Sequence, residues 1–174
     1  MILVTGACGY IGSHCSVELI RRGYELILVD NLVNSNISTL DKINYLTKTN
    51  NKFIECDLRD EIELKKIFKN NSINSVFHFA GLKSIYDSYK NPLEYYSANI
   101  TSTISLLNQM RSFSVDHLIF SSSATVYGET SAPPWNENLR LSLDNSPYAQ
   151  TKVIIEKILE SYVIKNSFLH VGIL

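Results

Sequence analysis

Short, nearly continuous apolar runs recur along the chain at Ile2–Thr5, Leu26–Val29, Phe53–Ile54, Val76–Phe79 and Leu118–Phe120. Runs of this length without alternation predict strands buried on both faces, as in parallel sheets. Between them, apolar positions fall at helical spacing. Ile11, Cys15 and Leu19 predict a helix stopped by Gly23, with Arg21 and Arg22 in its last turn, where cations complement the carbonyl end. A second helix is predicted from Pro92, with Leu93, Tyr96, Ile100 and Leu107 forming one buried stripe. A third follows Ser146-Pro147, where Ile155, Ile158, Leu159 and Tyr162 share a face and Lys152, Glu156, Lys157 and Glu160 fall mostly on the other. The polar stretch Asn34–Asn51 predicts a short helix and a solvated loop, and Phe168–Leu174 a further buried strand.

Strand and helix thus alternate from the first residue, which predicts an α/β fold built on a doubly wound parallel sheet. Ligands of such sheets gather beyond the carboxyl ends of the strands. The 174 residues, 45% hydrophobic, suffice for one ordinary core, so residues 1–174 are expected to form one domain. The formal net charge of -1 leaves no basic field to concentrate nucleic acid. No apolar run approaches the roughly 18 residues of a membrane span, and the start lacks a cationic leader, so the reading is cytoplasmic, with no membrane partner. Cys8, Cys15 and Cys56 are odd in number and irregularly spaced, which predicts reduced thiols. His14, His78, His117 and His170 are dispersed and lack the paired spacing of a helical zinc site, so no metal is expected.

Directly after the first strand, Gly6-Ala7-Cys8-Gly9-Tyr10-Ile11-Gly12 opens a helix. Glycines so placed allow a tight turn, backbone approach to a pyrophosphate, and close packing of helix on strand; the helix N-terminus adds unsatisfied N–H donors. A glycine triplet alone is equally a plain turn. Asp30 ends the second strand near the expected separation of about twenty residues, where a carboxylate accepts hydrogen bonds from ribose hydroxyls and repels a 2′-phosphate. The combination predicts a Rossmann fold that binds NAD and not NADP. Asp57, ending the third strand, either meets the adenine edge or caps the helix that follows.

A tyrosine followed four residues later by lysine places an ammonium beside a phenol on one helical face, where it lowers the phenol's pKa. Tyr86 with Lys90 and Tyr148 with Lys152 both have this spacing. Tyr86 and Lys90 run into Asn91-Pro92, which disfavours helix and predicts a solvated segment. Tyr148 opens the long helix after Pro147, and Phe120-Ser121-Ser122-Ser123 delivers hydroxyls to the carboxyl end of a strand. Ser123 is therefore a candidate partner for a reacting oxygen, or a turn cap.

On these segments, together with His78-Phe79-Ala80-Gly81-Leu82-Lys83 and Pro92-Leu93-Glu94-Tyr95-Tyr96, the chain resembles the N-terminal portion of the UDP-hexose 4-epimerases of the extended short-chain dehydrogenase/reductase family. The resemblance implies a tightly held NAD that oxidises C4 of a UDP-hexose and then reduces the 4-ketone from its opposite face, interconverting UDP-glucose and UDP-galactose. It implies Tyr148 as base, Lys152 as its electrostatic partner and ribose ligand, and Ser123 as hydrogen-bonding assistant, with Ser123 and Tyr148 also meeting the substrate. By matched position Gly6, Gly9, Tyr10, Ile11, Gly12, Asp30, Asn31, Asn34, Ser35, Asp57, Leu58, Phe79, Ala80, Gly81 and Lys83 would line the dinucleotide. A homodimer is a further implication.

A phenol with pKa about 10 must reach about 7 to act as a base at neutral pH, roughly 4 kcal/mol. One charge about 6 Å away contributes roughly 2.8 kcal/mol at an effective dielectric of about 20, so Lys152 needs a second cation, the oxidised nicotinamide. Two departures weaken the expected hold on cofactor: Ala98 stands where asparagine is common, and Ser102 where glycine is. The family also continues past the strand at Leu174 into a region that grips the sugar nucleotide, so the sequence reads as truncated and inactive by itself. The rival expectations are a 4,6-dehydratase, which would need an acid within Ser123-Ala124-Thr125, and a non-catalytic NAD-binding chain.

Overall fold

The computed structural model describes residues 1–128, 134–166 and 168–174. Six strands form one wholly parallel sheet: β1 (Ile2–Thr5), β2 (Leu26–Asp30), β3 (Lys52–Glu55), β4 (Ser75–His78), β5 (His117–Phe120) and β6 (His170–Ile173), in the spatial order β3-β2-β1-β4-β5-β6. The expected α/β doubly wound sheet is thus present. The central strands are the ones with uninterrupted apolar sequence: every residue of β1 and β2 is buried, whereas β3, at one edge, exposes Lys52 and Glu55. β1 lies between β2 and β4, with Ile2 opposite both Leu26 and Ser75. The order reverses there, which opens a crevice at the carboxyl ends of these strands.

α1 (Tyr10–Arg21) and α2 (Ser38–Thr47) cover one face over a core containing Val4, Leu28 and Ile43. On the other face, Leu3, Ile27, Leu106, Phe120, Ile155 and Leu159 pack beneath α3 (Glu61–Lys69), α6 (Ser102–Ser112) and α7 (Pro147–Lys165). Two short helices, α4 (Ile85–Lys90) and α5 (Pro92–Tyr96), precede α6. Local chemistry sets the helix starts. Asp60 caps α3 by accepting from the N–H groups of Ile62 and Glu63, each at 3.1 Å. Ser146 caps α7 through the Ala149 N–H, with Pro147 in the first turn.

Several side chains fall elsewhere than the periodicity predicts. Ile11 is exposed, and the buried face of α1 is Gly12, Ser16, Val17 and Leu19, because the helix lies against the glycine loop. Leu93 is also exposed while Tyr95 is buried, because a π-helical turn at Ser97–Thr101 separates α5 from α6 and interrupts the expected stripe. Tyr86–Lys90 is helical, contrary to the pre-proline reading; the pre-proline restriction acts only at Asn91, which leaves helical geometry at φ -130°. Lys152 and Glu156 are buried rather than on a solvated face, because α7 inserts its first turns behind the end of β5.

Candidate functional site

A cavity of about 410 Å³ opens at the carboxyl ends of β1, β2, β3 and β4. Of the residues expected to line a dinucleotide, Gly6, Gly9, Tyr10, Asp30, Asn31, Asn34, Ser35, Asp57, Leu58, Phe79, Ala80, Gly81 and Lys83 are on its wall. Ile11 and Gly12 are not, and neither are Ser123, Tyr148 and Lys152, which belong to a separate group at the ends of β5 and α7.

The glycine loop is shaped by backbone contact. Gly6 has φ +67°, and a Cβ there would stand 2.6 Å from the Ala80 nitrogen; a Cβ on Gly12 would stand 2.1 Å from the Gly6 carbonyl oxygen. Only hydrogen fits in either place. Helix α1 follows Gly9 with no side-chain cap and no acidic residue in its first turn, and Gly9 and Tyr10 at this positive end are on the cavity wall. This is a cradle for an anion.

Asp30, at 8% exposure, ties the loop to the end of β2. One carboxylate oxygen accepts from the Cys8 N–H at 2.9 Å; the other accepts from the Leu32 N–H at 2.9 Å and the Ser35 hydroxyl at 2.7 Å. Leu32 sits at φ 58°, a left-handed conformation that costs a leucine about 1–2 kcal/mol and fixes the loop around the carboxylate.

Asp57 is on the cavity wall and does not cap the next helix, a task that falls to Asp60. Arg59 donates to both of its oxygens, through Nε at 3.0 Å and a terminal nitrogen at 2.8 Å, and Asn31 adds a bond at 3.2 Å. These bonds, Arg59 first, hold the Asp57 carboxyl down to about 2. Arg59 also reaches Glu94 at 3.1 Å and Ser97 at 3.2 Å. Ala98 and Ser102, the two departures expected to bear on the cofactor, are on this wall too, whereas sequence reasoning missed Arg59, as well as Cys56 and Tyr95. The nearness of Arg59 to Asp57 was the one available signal; nothing local points to Glu94 or Ser97.

In the second group, Lys152 is almost wholly enclosed. Its ammonium donates to the Ser121 carbonyl at 2.8 Å and lies 4.7 Å from the centre of the Phe120 ring. Burial, with the like charge of Lys83 added and Glu156 opposing, lowers its pKa to about 7. Tyr148, one turn earlier, is 7% exposed. Its hydroxyl makes no hydrogen bond among the described residues, where every buried side-chain polar atom has a partner, so the phenol oxygen is not completely enclosed. Ser123 caps a short 3₁₀ turn, accepting from the Thr125 N–H at 3.3 Å and its hydroxyl at 2.9 Å. The cap reading is therefore present in the structure, yet it leaves the serine's own hydrogen free for an outside acceptor.

His78, at the end of β4, is buried and neutral, its pKa pushed down to about 3 chiefly by burial. Thr103 donates to the Asn99 carbonyl at 2.7 Å, so it receives the proton on His78 Nε2 at 3.0 Å, and Thr5 donates to Nδ1 at 2.7 Å. This is a satisfied structural histidine. The other tyrosine and lysine of matching spacing point outward, with Lys90 4.2 Å from the Tyr86 ring centre. Among the described residues no group of three His, Cys, Asp or Glu side chains is placed to hold a metal ion, and no helix is long and apolar enough to cross a membrane.

A protein-family model described as GDP-mannose 4,6 dehydratase matches residues 3–174. Among curated proteins, the chain is 43% identical over 165 residues to a UDP-glucose 4-epimerase of Erwinia amylovora, covering 95% of this chain and 49% of that protein. It is 46% identical over 159 residues to one of Dictyostelium discoideum, covering 91% and 46%. Among solved structures, it is similar to the UDP-glucose 4-epimerase from Bifidobacterium longum in complex with NAD+ and UDP, with a TM-score of 0.96 and 37% identity over 99% of this chain and 51% of that one. The Stenotrophomonas maltophila enzyme with bound NAD and formylated UDP-arabinopyranose gives a TM-score of 0.94 and 39% identity over 99% and 51%. The chain spans about half the length of the relatives it matches.

Proposed function

The chain belongs to the family described as GDP-mannose 4,6 dehydratase, and from that premise we propose that residues 1–174 are the dinucleotide-binding domain of an NAD-dependent UDP-glucose 4-epimerase. The observation that carries this reading is the shared cavity of a bare α1 N-terminus, a glycine loop closed to any Cβ, and the Asp30 carboxylate. These residues fit a pyrophosphate followed by a ribose. The α1 N-terminus and Lys83 would hold the phosphates, Asp30 would orient the ribose and disfavour a 2′-phosphate, and Asp57, steadied by Arg59 and Asn31, would meet the adenine.

When bound, NAD supplies the hydride acceptor for C4 of the sugar. The chain's own part is to move the hydroxyl proton. Tyr148 accepts it at its phenol oxygen, which has no partner hydrogen bond among the described residues, Ser123 offers its free hydrogen to the same sugar oxygen, and Lys152 provides positive charge behind the phenol. Epimerisation is favoured over 4,6-dehydration because no Asp or Glu occurs from Ser121 to Gly128, and elimination of water needs such an acid. The curated relatives cited above are named UDP-glucose 4-epimerases. The wider proposal is a cytoplasmic protein of galactose metabolism that pairs as a homodimer through the apolar outer side of α7, where Ile154, Ile158 and Tyr162 lie.

Calorimetry of this chain with NAD and with NADP, alongside interconversion of UDP-glucose and UDP-galactose by the longer protein containing it, tests the reading. We expect NAD to bind at least about tenfold more tightly than NADP, from the charge of Asp30 alone. Equal affinity, or conversion to a 4-keto-6-deoxy product, overturns it.

A further inference from the structure

Glu156 is a buried carboxylate at 9% exposure, one turn beyond Lys152 on α7, and the chemistry above gives it no task. It accepts a hydrogen bond from the Ser122 hydroxyl. The residue before, Ser121, is held by Lys152 through its carbonyl at 2.8 Å. From the sheet side the Ser121 N–H donates to the His78 carbonyl at 3.1 Å and the Ser122 N–H to the Leu174 carbonyl at 2.8 Å. Two side chains one helical turn apart therefore grip consecutive residues, and the next residue is Ser123.

Building on the proposed function, we infer that Glu156 is a positioning residue for Lys152 and Ser123: it anchors the serine segment through Ser122 and holds a buried negative charge one helical turn from the Lys152 ammonium. The groups around Lys152 bear this out. Lys83, from the segment after β4, opposes the ammonium; His78 on β4 is neutral; the Ser121 carbonyl and the Phe120 ring attract it as neutral groups; among the charged groups around it Glu156 favours protonation. Lys152 makes no direct ion pair among the described residues, so the carboxylate acts across a gap. The Ser122 bond stops it swinging away. Side chains four apart on a helix stand about 6 Å from one another at Cβ, and at an effective dielectric of about 20 a charge at that distance is worth up to about a hundredfold in proton affinity, less where the charged ends splay apart.

The test uses the whole chain, following Lys152 by NMR titration together with the backbone amides of Ser121–Ser123, and NAD affinity by calorimetry across pH. Glu156→Gln keeps an acceptor for Ser122 and removes the charge. We expect about a tenfold fall in Lys152 proton affinity with the serine amides in place. An unchanged Lys152 midpoint overturns the inference. Ser122→Ala leaves every charge but frees the carboxylate; here the serine amides should move and the Lys152 midpoint fall by a fraction of the glutamine effect. No change in either overturns the anchoring role, and this variant decides the matter if Glu156→Gln does not fold. Failure of the parent chain to bind NAD would count against the proposed function, while the Lys152 titration would still decide the role of Glu156.

Discussion

Lys152 makes the stability of this fold depend on pH in a way that one substitution removes. In the unfolded chain its ammonium titrates at the ordinary 10.5, and in the folded chain at about 7, chiefly because burial strips it of water. Between those values the unfolded chain binds more protons, so stability rises as pH rises through the window. Below about pH 7 both states are protonated, and the buried charge costs roughly 5 kcal/mol, the gap between 10.5 and about 7 taken at about 1.36 kcal/mol per pH unit. From about pH 7, where the folded lysine is half neutral, to about pH 8.5, linkage returns on the order of 2 kcal/mol. Lys152→Met keeps an apolar stem of similar length and loses the titration. Urea unfolding followed by circular dichroism, for parent and variant at constant ionic strength, gives the difference directly, and titrating groups that Lys152 does not influence cancel. The interval stops short of pH 9 because Cys8 and Cys56, whose thiols burial raises to about 11, destabilise the fold above that point. Methionine also leaves the Ser121 carbonyl without its donor, at about 1–3 kcal/mol, so the pH slope is the quantity to read. Parallel stability curves for parent and variant would refute a desolvated Lys152.

Three other outcomes are expected. Gly12→Ala places a methyl 2.1 Å from the Gly6 carbonyl oxygen and should cost about 2 kcal/mol or more in urea unfolding, with NAD affinity down at least about tenfold by calorimetry. Asp30→Asn keeps an acceptor for Leu32 and Ser35 but removes the charge, so the ratio of NAD to NADP affinity should fall toward one, as measured by calorimetry of both. Asp57→Asn should cost about 1 kcal/mol near neutral pH, a figure reduced for a side chain one-third exposed. Because the folded carboxyl lies at about 2, this advantage of the parent is full above about pH 4 and disappears as pH falls toward about 2, so unfolding curves of the two proteins should converge in acid.

The chain's local grammar accounts for most of the fold and for one half of the site. The apolar runs at Ile2–Thr5 and Leu26–Val29 lie in the buried central strands, and the glycine loop with Asp30 forms one wall of the cavity. The helix starts at Pro92 and Pro147 were also legible. These features depend on neighbours a few residues apart, through backbone hydrogen bonding, side-chain period and turn chemistry, so the order of residues suffices to determine them.

Other features belong to the tertiary structure. Arg59 joins Asp57 to Glu94 and Ser97 only because β3 and α5 end side by side. The π-helical turn at Ser97–Thr101 breaks a stripe that periodicity carries straight through, exposing Leu93 and burying Tyr95. Lys152 and Glu156 read as surface charges until α7 is laid against the end of β5, where one meets the Ser121 carbonyl and the other the Ser122 hydroxyl. Charge and period in a sequence define which residues a helix can present together, but the energy of a buried ion depends on what the rest of the chain brings within a few ångströms. Only the packed fold decides that.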